Sequence, residues 1–186
     1  MSRARALCAP ALAVAVLAGG CAHERGSESA SATATTTPWT SPTPITAAGP
    51  AAGDSAQTVA ASAMRELYTL RPAIERAGDE LNRIRAWLTP ALLARLGPAA
   101  APVASHQAGG PEWGRWQAAR ARVDAQTLVS AERPAHEEPG RASRKVGVTQ
   151  TVVWPDGHSE ARAPFTVVVD LAETPAGWRV DDYQGG

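Results

Sequence analysis

The sequence from Ser55 onward predicts an α+β domain in which helices pack on one face of a four-stranded antiparallel sheet. Two observations support this fold class. Apolar residues recur at helical spacing up to about residue 96, and later ones alternate with polar residues as in half-buried strands. A run of helices followed by a run of strands is typical of α+β proteins. The remaining length, about 130 residues, is enough for one hydrophobic core.

Three helices are predicted in the first part of this domain. The first follows Ser55, which can cap it, and Pro72 ends or resets it. The second carries an apolar stripe from Ile74, with Asp79 offering a later, capped start. The third begins after Thr89 and ends at Gly97. The stripes of the first two helices consist of Val59, Ala63, Leu67 and Leu70, and of Ile74, Ala77, Leu81, Ile84 and Leu88.

Four strands and two tight turns are predicted after a Pro- and Gly-rich loop at residues 97–112. The strands are "RWQAARARVDAQTLVSAE", "RKVGVTQTVVW", "SEARAPFTVVVDLAE" and "GWRVDDY", and the turns are "PDGH" and "TPAG". Alternation places one side of each of the first three strands toward the core. The residues on those sides are Ala119, Ala121, Val123, Ala125 and Val129; Val146, Val148, Val152 and Trp154; and Ala163, Phe165, Val167, Val169 and Leu171.

The chain opens with "MSRARALCAPALAVAVLAGGC", a basic start, a short apolar run and small residues before Cys21. This segment resembles the lipobox of bacterial lipoproteins, although Ala18 stands where leucine is usual. The resemblance implies that residues 1–20 are a signal peptide and that Cys21 carries a diacylglycerol, an anchor at the extracytoplasmic face of the cell membrane. An ordinary secreted protein and an uncleaved anchor are the alternatives.

Residues 22–54 consist mainly of Ser, Thr, Ala, Pro and Gly and predict a disordered tether. With Cys21 they form the segment 21–54, and residues 55–186 form the folded domain. Because Cys8 lies in the part that would be removed, the mature chain would keep a single cysteine. A disulfide within the chain is then impossible, so the domain relies on its core.

Charge and motifs exclude several classes of function. Lys and Arg total 18, Asp and Glu total 18, and the net charge is zero, so nothing favours nucleic acid as a partner. Basic residues are almost all arginine and alanine is abundant, which is typical of a GC-rich bacterial genome. No glycine-rich phosphate loop, nucleophile elbow or dinucleotide motif occurs, so no cofactor is expected. Residues 136–138, His-Glu-Glu, lack the spacing of a zinc site, and no metal is expected.

The element order, the segment from Trp87 to Leu96 and the closing segment from Gly177 to Tyr183 resemble the NTF2-like superfamily. They are most similar to small envelope lipoproteins and accessory proteins of actinobacteria. The resemblance covers about residues 55–184. It implies a curved sheet wrapped around the helices as a cone, whose mouth can hold a small ligand. Many members are isomerases or dehydratases, and many others are non-catalytic assembly or binding modules, so the fold leaves the function open.

Candidate polar residues for a site are few. His106, His136 and His158 all fall in loops or turns. Asp124 and Asp170 lie within strands, which makes them candidates for a base or proton donor. Each shares its side of the strand with polar residues, and a solvated face with cross-strand ion pairs explains both.

Three tryptophans are candidates for the rim of a pocket, since aromatic side chains provide much of the contact in apolar sites. Trp113 and Trp116 stand at the entry to the first predicted strand, and Trp178 begins the fourth. In a chain with one phenylalanine and two tyrosines, filling the core is the alternative role for them.

These observations favour an anchored, non-catalytic binding or accessory module with a protein partner in the cell envelope. The alternatives are a carrier of an apolar small ligand in the cone and an extracytoplasmic isomerase or dehydratase. A carrier requires an apolar cavity of several hundred Å³. An enzyme requires an unpaired polar group inside the cavity, and a scaffold can fill its cone and expose an apolar patch instead.

Overall fold

A computed structural model describes residues 48–97, 110–132 and 137–185. The predicted signal peptide, Cys21 and most of the tether lie outside these residues, as do His106 and His136. The described part is α+β, as predicted. Its helices are α1 (Ala56–Tyr68), α2 (Asp79–Arg83), a 3-10 turn (Arg85–Trp87), α3 (Pro90–Leu96) and α4 (Pro111–Ala119). Its strands are β1 (Arg122–Val129), β2 (Arg141–Val153), β3 (Ser159–Ala161), β4 (Phe165–Thr174) and β5 (Gly177–Gln184).

The sheet is an antiparallel meander in the order β1-β2-β4-β5, with β3 paired to the far end of β2. Both predicted turns are confirmed. Gly157 (φ 86°) lies in the turn from β2 to β3, and Gly177 (φ 93°) opens β5 after the turn from β4. A side chain is strained at such angles, which is why glycine stands at both places.

The third predicted strand is wrong in one respect, because two strands, β3 and β4, take its place. Pro164 has no N–H to donate to a ladder, and the chain leaves the sheet from Arg162 to Pro164. Ala163, expected on the core side, is exposed. Only the backbone N–H of Arg162 still reaches β2, where it donates to the carbonyl of Gln150 at 2.9 Å.

The first predicted strand begins too early, because residues 111–119 form helix α4. Pro111 occupies the first turn, where its missing N–H costs nothing. The helix ends at Ala119, and the residue that caps it, Arg120, adopts φ 55°. Trp113 and Trp116 are three residues apart, so one face of a helix buries both, and this burial outweighs the alternation of the alanines and arginines that follow.

The predicted starts of the first and third helices are confirmed. Ser55 Oγ accepts from the N–H of Thr58 and Thr89 Oγ1 accepts from the N–H of Leu92, each at 3.1 Å. The first helix ends at Tyr68, before the predicted Pro72.

The second predicted helix is shorter than its stripe. It begins at Asp79, after Gly78 in the left-handed region at φ 102°, and Ile74 and Ala77 lie before it and are exposed. The Asp79 carboxylate accepts from the N–H of Arg76 at 2.8 Å, a local bond that competes with a helix there.

The helices cover one side of the sheet, here called the inner face. Its residues include Val146, Val148, Val167 and Val169, which pack with α1 in a main hydrophobic cluster. A second cluster lies at the end of the sheet next to α4. It consists of Leu70, Trp113, Trp116, Ala121, Val123 and Val152, with Trp154 packed against it.

A buried arginine ties α2 to the end of α1. The side chain of Arg83 is 1 % exposed, and it pairs with the carboxylates of Glu75 and Glu66. Its guanidinium also donates to the backbone carbonyls of Glu66 and Thr69. These carbonyls belong to the last turn and cap of α1, which have no partner within the helix. The guanidinium of Arg83 therefore provides donors for the free carbonyls at the end of α1, and its pair with Glu75 holds the turn that follows.

We expect Arg83→Met to lower the free energy of unfolding by about 3–5 kcal/mol, because it leaves buried carboxylate and carbonyl oxygens without their donor. Denaturant unfolding of the purified chain measures this. Arg65→Met is the matched control, since Arg65 is 54 % exposed and its pair with Glu66 is long, at 4.0 Å. The control should change stability by no more than about 0.5 kcal/mol. Equal losses in both variants would contradict a structural role for Arg83.

Candidate functional site

The inner face, where the resemblance implies a ligand cavity, is filled by side chains in the described part of the chain. Tyr68 is 1 % exposed and packs edge-on against Phe165, with ring centres 4.9 Å apart. Its hydroxyl donates to the carbonyl of Gly185 at 3.4 Å. Tyr183 packs against the same cluster from β5. Burial raises the pKa of both phenols to about 12, with smaller contributions at Tyr183 from Tyr68, Asp182 and Glu80.

Gln150 is a buried polar residue that no sequence motif singles out. It is 1 % exposed and lies between Val148 of the main cluster and Val152 of the second. Its side-chain N–H donates to the carbonyl of Tyr68 at 2.8 Å, at the end of α1, whereas its Oε1 has no hydrogen-bond partner among the described residues. The sequence does contain a signal for this burial, because Gln150 lies on the same side of the alternating strand as Val148 and Val152. An amide does not titrate, so Gln150 is a poor general base.

The three candidate tryptophans do not come together around one opening. Trp113 and Trp116 are 6 % and 0 % exposed, in the second cluster. The guanidinium of Arg162 lies 5.0 Å from the centre of the Trp116 ring, and it also pairs with Glu112 at 2.8 Å, so it fixes α4 to the segment after β3. Trp178 packs partly buried against the main cluster.

The candidate aspartates both face away from the helices, on the side here called the outer face. Asp124 pairs with Arg122 on the same strand, with 3.0 Å between carboxylate and guanidinium nitrogen. Asp170 lies between Ser143 of β2 and Asp182 of β5 in the sheet register. His158 follows the turn, where its ring lies 5.2 Å from that of Trp154. These positions match solvated residues of a sheet surface.

A β-bulge in β5 holds a polar cluster that joins α3, β2 and β5. Opposite Asp170 and Leu171, β5 contains one extra residue, Asp181. Its carboxylate accepts from Thr89 at 2.8 Å and from Arg141 at 2.6 Å, so it joins the cap of α3 to the sheet. The hydroxyl of Thr89 lowers the pKa of Asp181 most, burial opposes this, and Arg141 lowers it further. A groove of about 450 Å³ runs beside this cluster.

A second groove, of about 580 Å³, lies on the outer face and is lined by uncharged residues only. We call it the outer groove. Gly147 lies between Leu128 of β1 and Thr166 of β4 in the register, so the middle strand contributes no side chain there. Leu128 is 78 % exposed, the largest value among the exposed large apolar residues of the described part. The lining consists of Gln126, Thr127, Leu128, Gly147, Val148, Thr149, Pro164, Phe165 and Thr166.

The described residues contain no group of three or more His, Cys, Asp or Glu placed to hold a metal ion. The chain matches no family model, and neither the curated proteins nor the solved structures contain a significant match to it.

We expect neither tyrosine to ionise near the ordinary phenol pKa of about 10 while the chain is folded. The chain contains only Tyr68 and Tyr183, and in each the folded pKa is raised to about 12. Their contribution to stability is therefore complete below pH 10 and is lost as the pH rises through 12. Ultraviolet titration of tyrosinate in folded and in denatured chain measures this. A phenol that ionises near pH 10 in the folded chain would mean that the inner face is open to water.

Proposed function

We propose that this protein is an envelope lipoprotein of an actinobacterium whose NTF2-like domain is a non-catalytic binding module for a protein partner. The outer groove carries this proposal. A binding surface needs exposed apolar area, and the side chain of Leu128 provides it. Next to it the groove is open, because Gly147 has no side chain to fill it. The inner face supports the same proposal, because the described side chains on it leave little space for a ligand in the cone.

The NTF2-like assignment rests on element order and on the bulged sheet. Helices precede an antiparallel meander, and they pack on one face of it. The bulge at Asp181 is a feature that bends strands. A curved sheet around the helices is the arrangement that the resemblance implies.

The anchor is proposed from the sequence. Small residues before Cys21 match the cleavage site of lipoproteins, and two acyl chains hold a protein firmly on a membrane. Among the described residues, no helix combines the length and apolar character needed to cross a membrane. The Ser-, Thr- and Pro-rich tether would then hold the domain away from the lipid surface.

A carrier function is the second candidate, favoured by the size of the outer groove. Its volume of about 580 Å³ lies within the range of small-molecule sites. The groove differs from the expected cone cavity, because it opens on the opposite side of the sheet. Native mass spectrometry of chain purified from its own host distinguishes the two candidates. A small molecule that leaves on denaturation favours the carrier.

We expect Cys21→Ala to release the protein from the membrane fraction and to abolish incorporation of labelled fatty acid. Cys8→Ala is the matched control, because Cys8 lies in the segment that is removed, and it should leave both unchanged. Fractionation and metabolic labelling in the native host measure these outcomes. Membrane attachment that survives Cys21→Ala would contradict the lipid anchor and favour an uncleaved helix.

We expect a photo-crosslinking amino acid at position 128 to yield a protein adduct in the native envelope, and Gly147→Leu in the same chain to abolish it. A Cβ at Gly147 meets only the carbonyl of Leu128, at an ordinary 3.6 Å, so the new side chain fills the groove without strain. Thr151→Leu is the control, on the outer face of β2 but outside the groove lining. It should leave the adduct intact, and both variants should keep wild-type unfolding.

The absence of any adduct at position 128 would count against a binding module at this surface. Equal loss in both leucine variants would show that the effect comes from the sheet in general rather than from the groove.

A further inference from the structure

Strand β1 forms one edge of the sheet, and part of that edge has no partner among the described residues. The N–H and carbonyl of Val123 both bond to Leu70, each at 2.9 Å, on the side away from β2. Backbone groups alternate sides along a strand, so those of Ala125, Thr127 and Val129 point the same way. The hydroxyl of Thr69 approaches the N–H of Ala125 at 3.4 Å. No described backbone reaches Thr127 or Val129 on this side.

The opposite edge of the sheet is protected, which makes β1 the exception. On β5, the carbonyl of Val180 accepts from the N–H of Thr89 at 2.8 Å, and the carbonyl of Asp181 accepts from Arg95 at 2.5 Å. That edge also carries the bulge and charged side chains. Natural sheets use such covers, bulges and charges to prevent pairing with other strands.

The uncovered stretch of β1 carries none of these protections. Residues 125–131, Ala-Gln-Thr-Leu-Val-Ser-Ala, contain no charge and no proline. Leu128 stands in the middle of this stretch and is 78 % exposed. An uncharged edge with an exposed aliphatic side chain is a template for an added strand.

We propose that the edge of β1 pairs with β1 of a second copy of this chain, antiparallel, about a two-fold axis at Leu128. This inference rests on the proposed function, because it names the partner of the Leu128 surface. In this register Thr127 of one copy exchanges backbone hydrogen bonds with Val129 of the other, and each copy contributes both residues. The two Leu128 side chains face each other as a non-hydrogen-bonded pair, which buries the exposed apolar area of both.

Charge favours a second copy as the occupant. A two-fold interface brings the same surface to both sides, so an edge with net charge would repel itself. The seven uncharged residues 125–131 keep like charges away from the axis. The pairing stops short of Asp124, because Leu70 and Thr69 of the same chain already occupy the edge at Val123 and Ala125. The nearest acidic side chains, Asp124 and Glu132, therefore stay outside the paired stretch.

Register-specific disulfide cross-linking of the full chain in its native membrane tests this pairing. Opposed residues of a non-hydrogen-bonded pair have Cα atoms about 4.5 Å apart, within the range of a disulfide. Leu128→Cys should therefore give a band at twice the monomer mass on a non-reducing gel. Gln126→Cys, on the same face of the same strand, should not, because its partner in this register is Ser130. The double variant Gln126→Cys/Ser130→Cys should restore the band, and wild type gives the background.

Sedimentation of the detergent-solubilised full chain provides a second readout. Leu128→Lys should shift the mass from dimer to monomer, because the substitution places two cations at the axis. The monomer should still fold, because position 128 is exposed. Val168→Lys, on the outer face of β4 and 37 % exposed, should leave the dimer intact.

Three results would overturn the pairing. One is equal cross-linking of the two single cysteine variants, and another is a wild-type chain that sediments as a monomer. The third is a photo-adduct at position 128 that contains a different protein and never a second copy. In that third case the proposed binding module still stands and only the self-pairing is wrong. If position 128 gives no adduct of any kind, both the binding module and the self-pairing are contradicted.

Discussion

The packing of α1 against the inner face of the sheet is the interaction on which the rest of this structure depends. The sheet presents a row of valines on that face, and a single sheet cannot bury them alone. Helix α1 supplies Val59, Ala63 and Leu67 opposite them. Small residues such as Ala60 and Ala63 are completely buried, so the helix approaches the sheet closely.

Several polar interactions serve to hold this helix in place. Arg83 satisfies the carbonyls at the end of α1, and Gln150 donates to the carbonyl of Tyr68 at the same end. At the β5 edge of the sheet, a hydrogen bond between Thr89 and Asp181 connects α3 with the bulge of β5. Buried polar groups are costly unless paired, so each bond also restricts the packing to one arrangement. The result is an inner face in which the polar groups have structural roles.

Because the inner face is occupied by structural contacts, the surface available for binding lies on the outer face of the sheet. With α1 and the tyrosines filling the inner face, exposed apolar surface remains at Leu128 and around Gly147. The outer groove and the edge of β1 meet at that leucine. A surface of this kind suits recognition of another polypeptide better than chemistry, because the groups lining it are uncharged.

The sequence by itself determined the fold class, the caps at Ser55 and Thr89, the two hairpin turns and the alternation of β2 and β4. These features depend on local rules of spacing, capping and turn conformation, which act within a few residues. The sequence does not mark Leu128 as part of a site, because an isolated leucine in an alternating strand carries no signal of exposure.

Only the tertiary structure decided that Trp113 and Trp116 belong to a helix and that Arg83 and Gln150 are buried. It also decided that no described backbone covers the β1 edge beyond Ala125, whereas the β5 edge is covered. Each of these outcomes depends on contacts between residues far apart in the chain. Burial of two tryptophans against Val152, for example, stabilises α4 more than local alternation favours a strand.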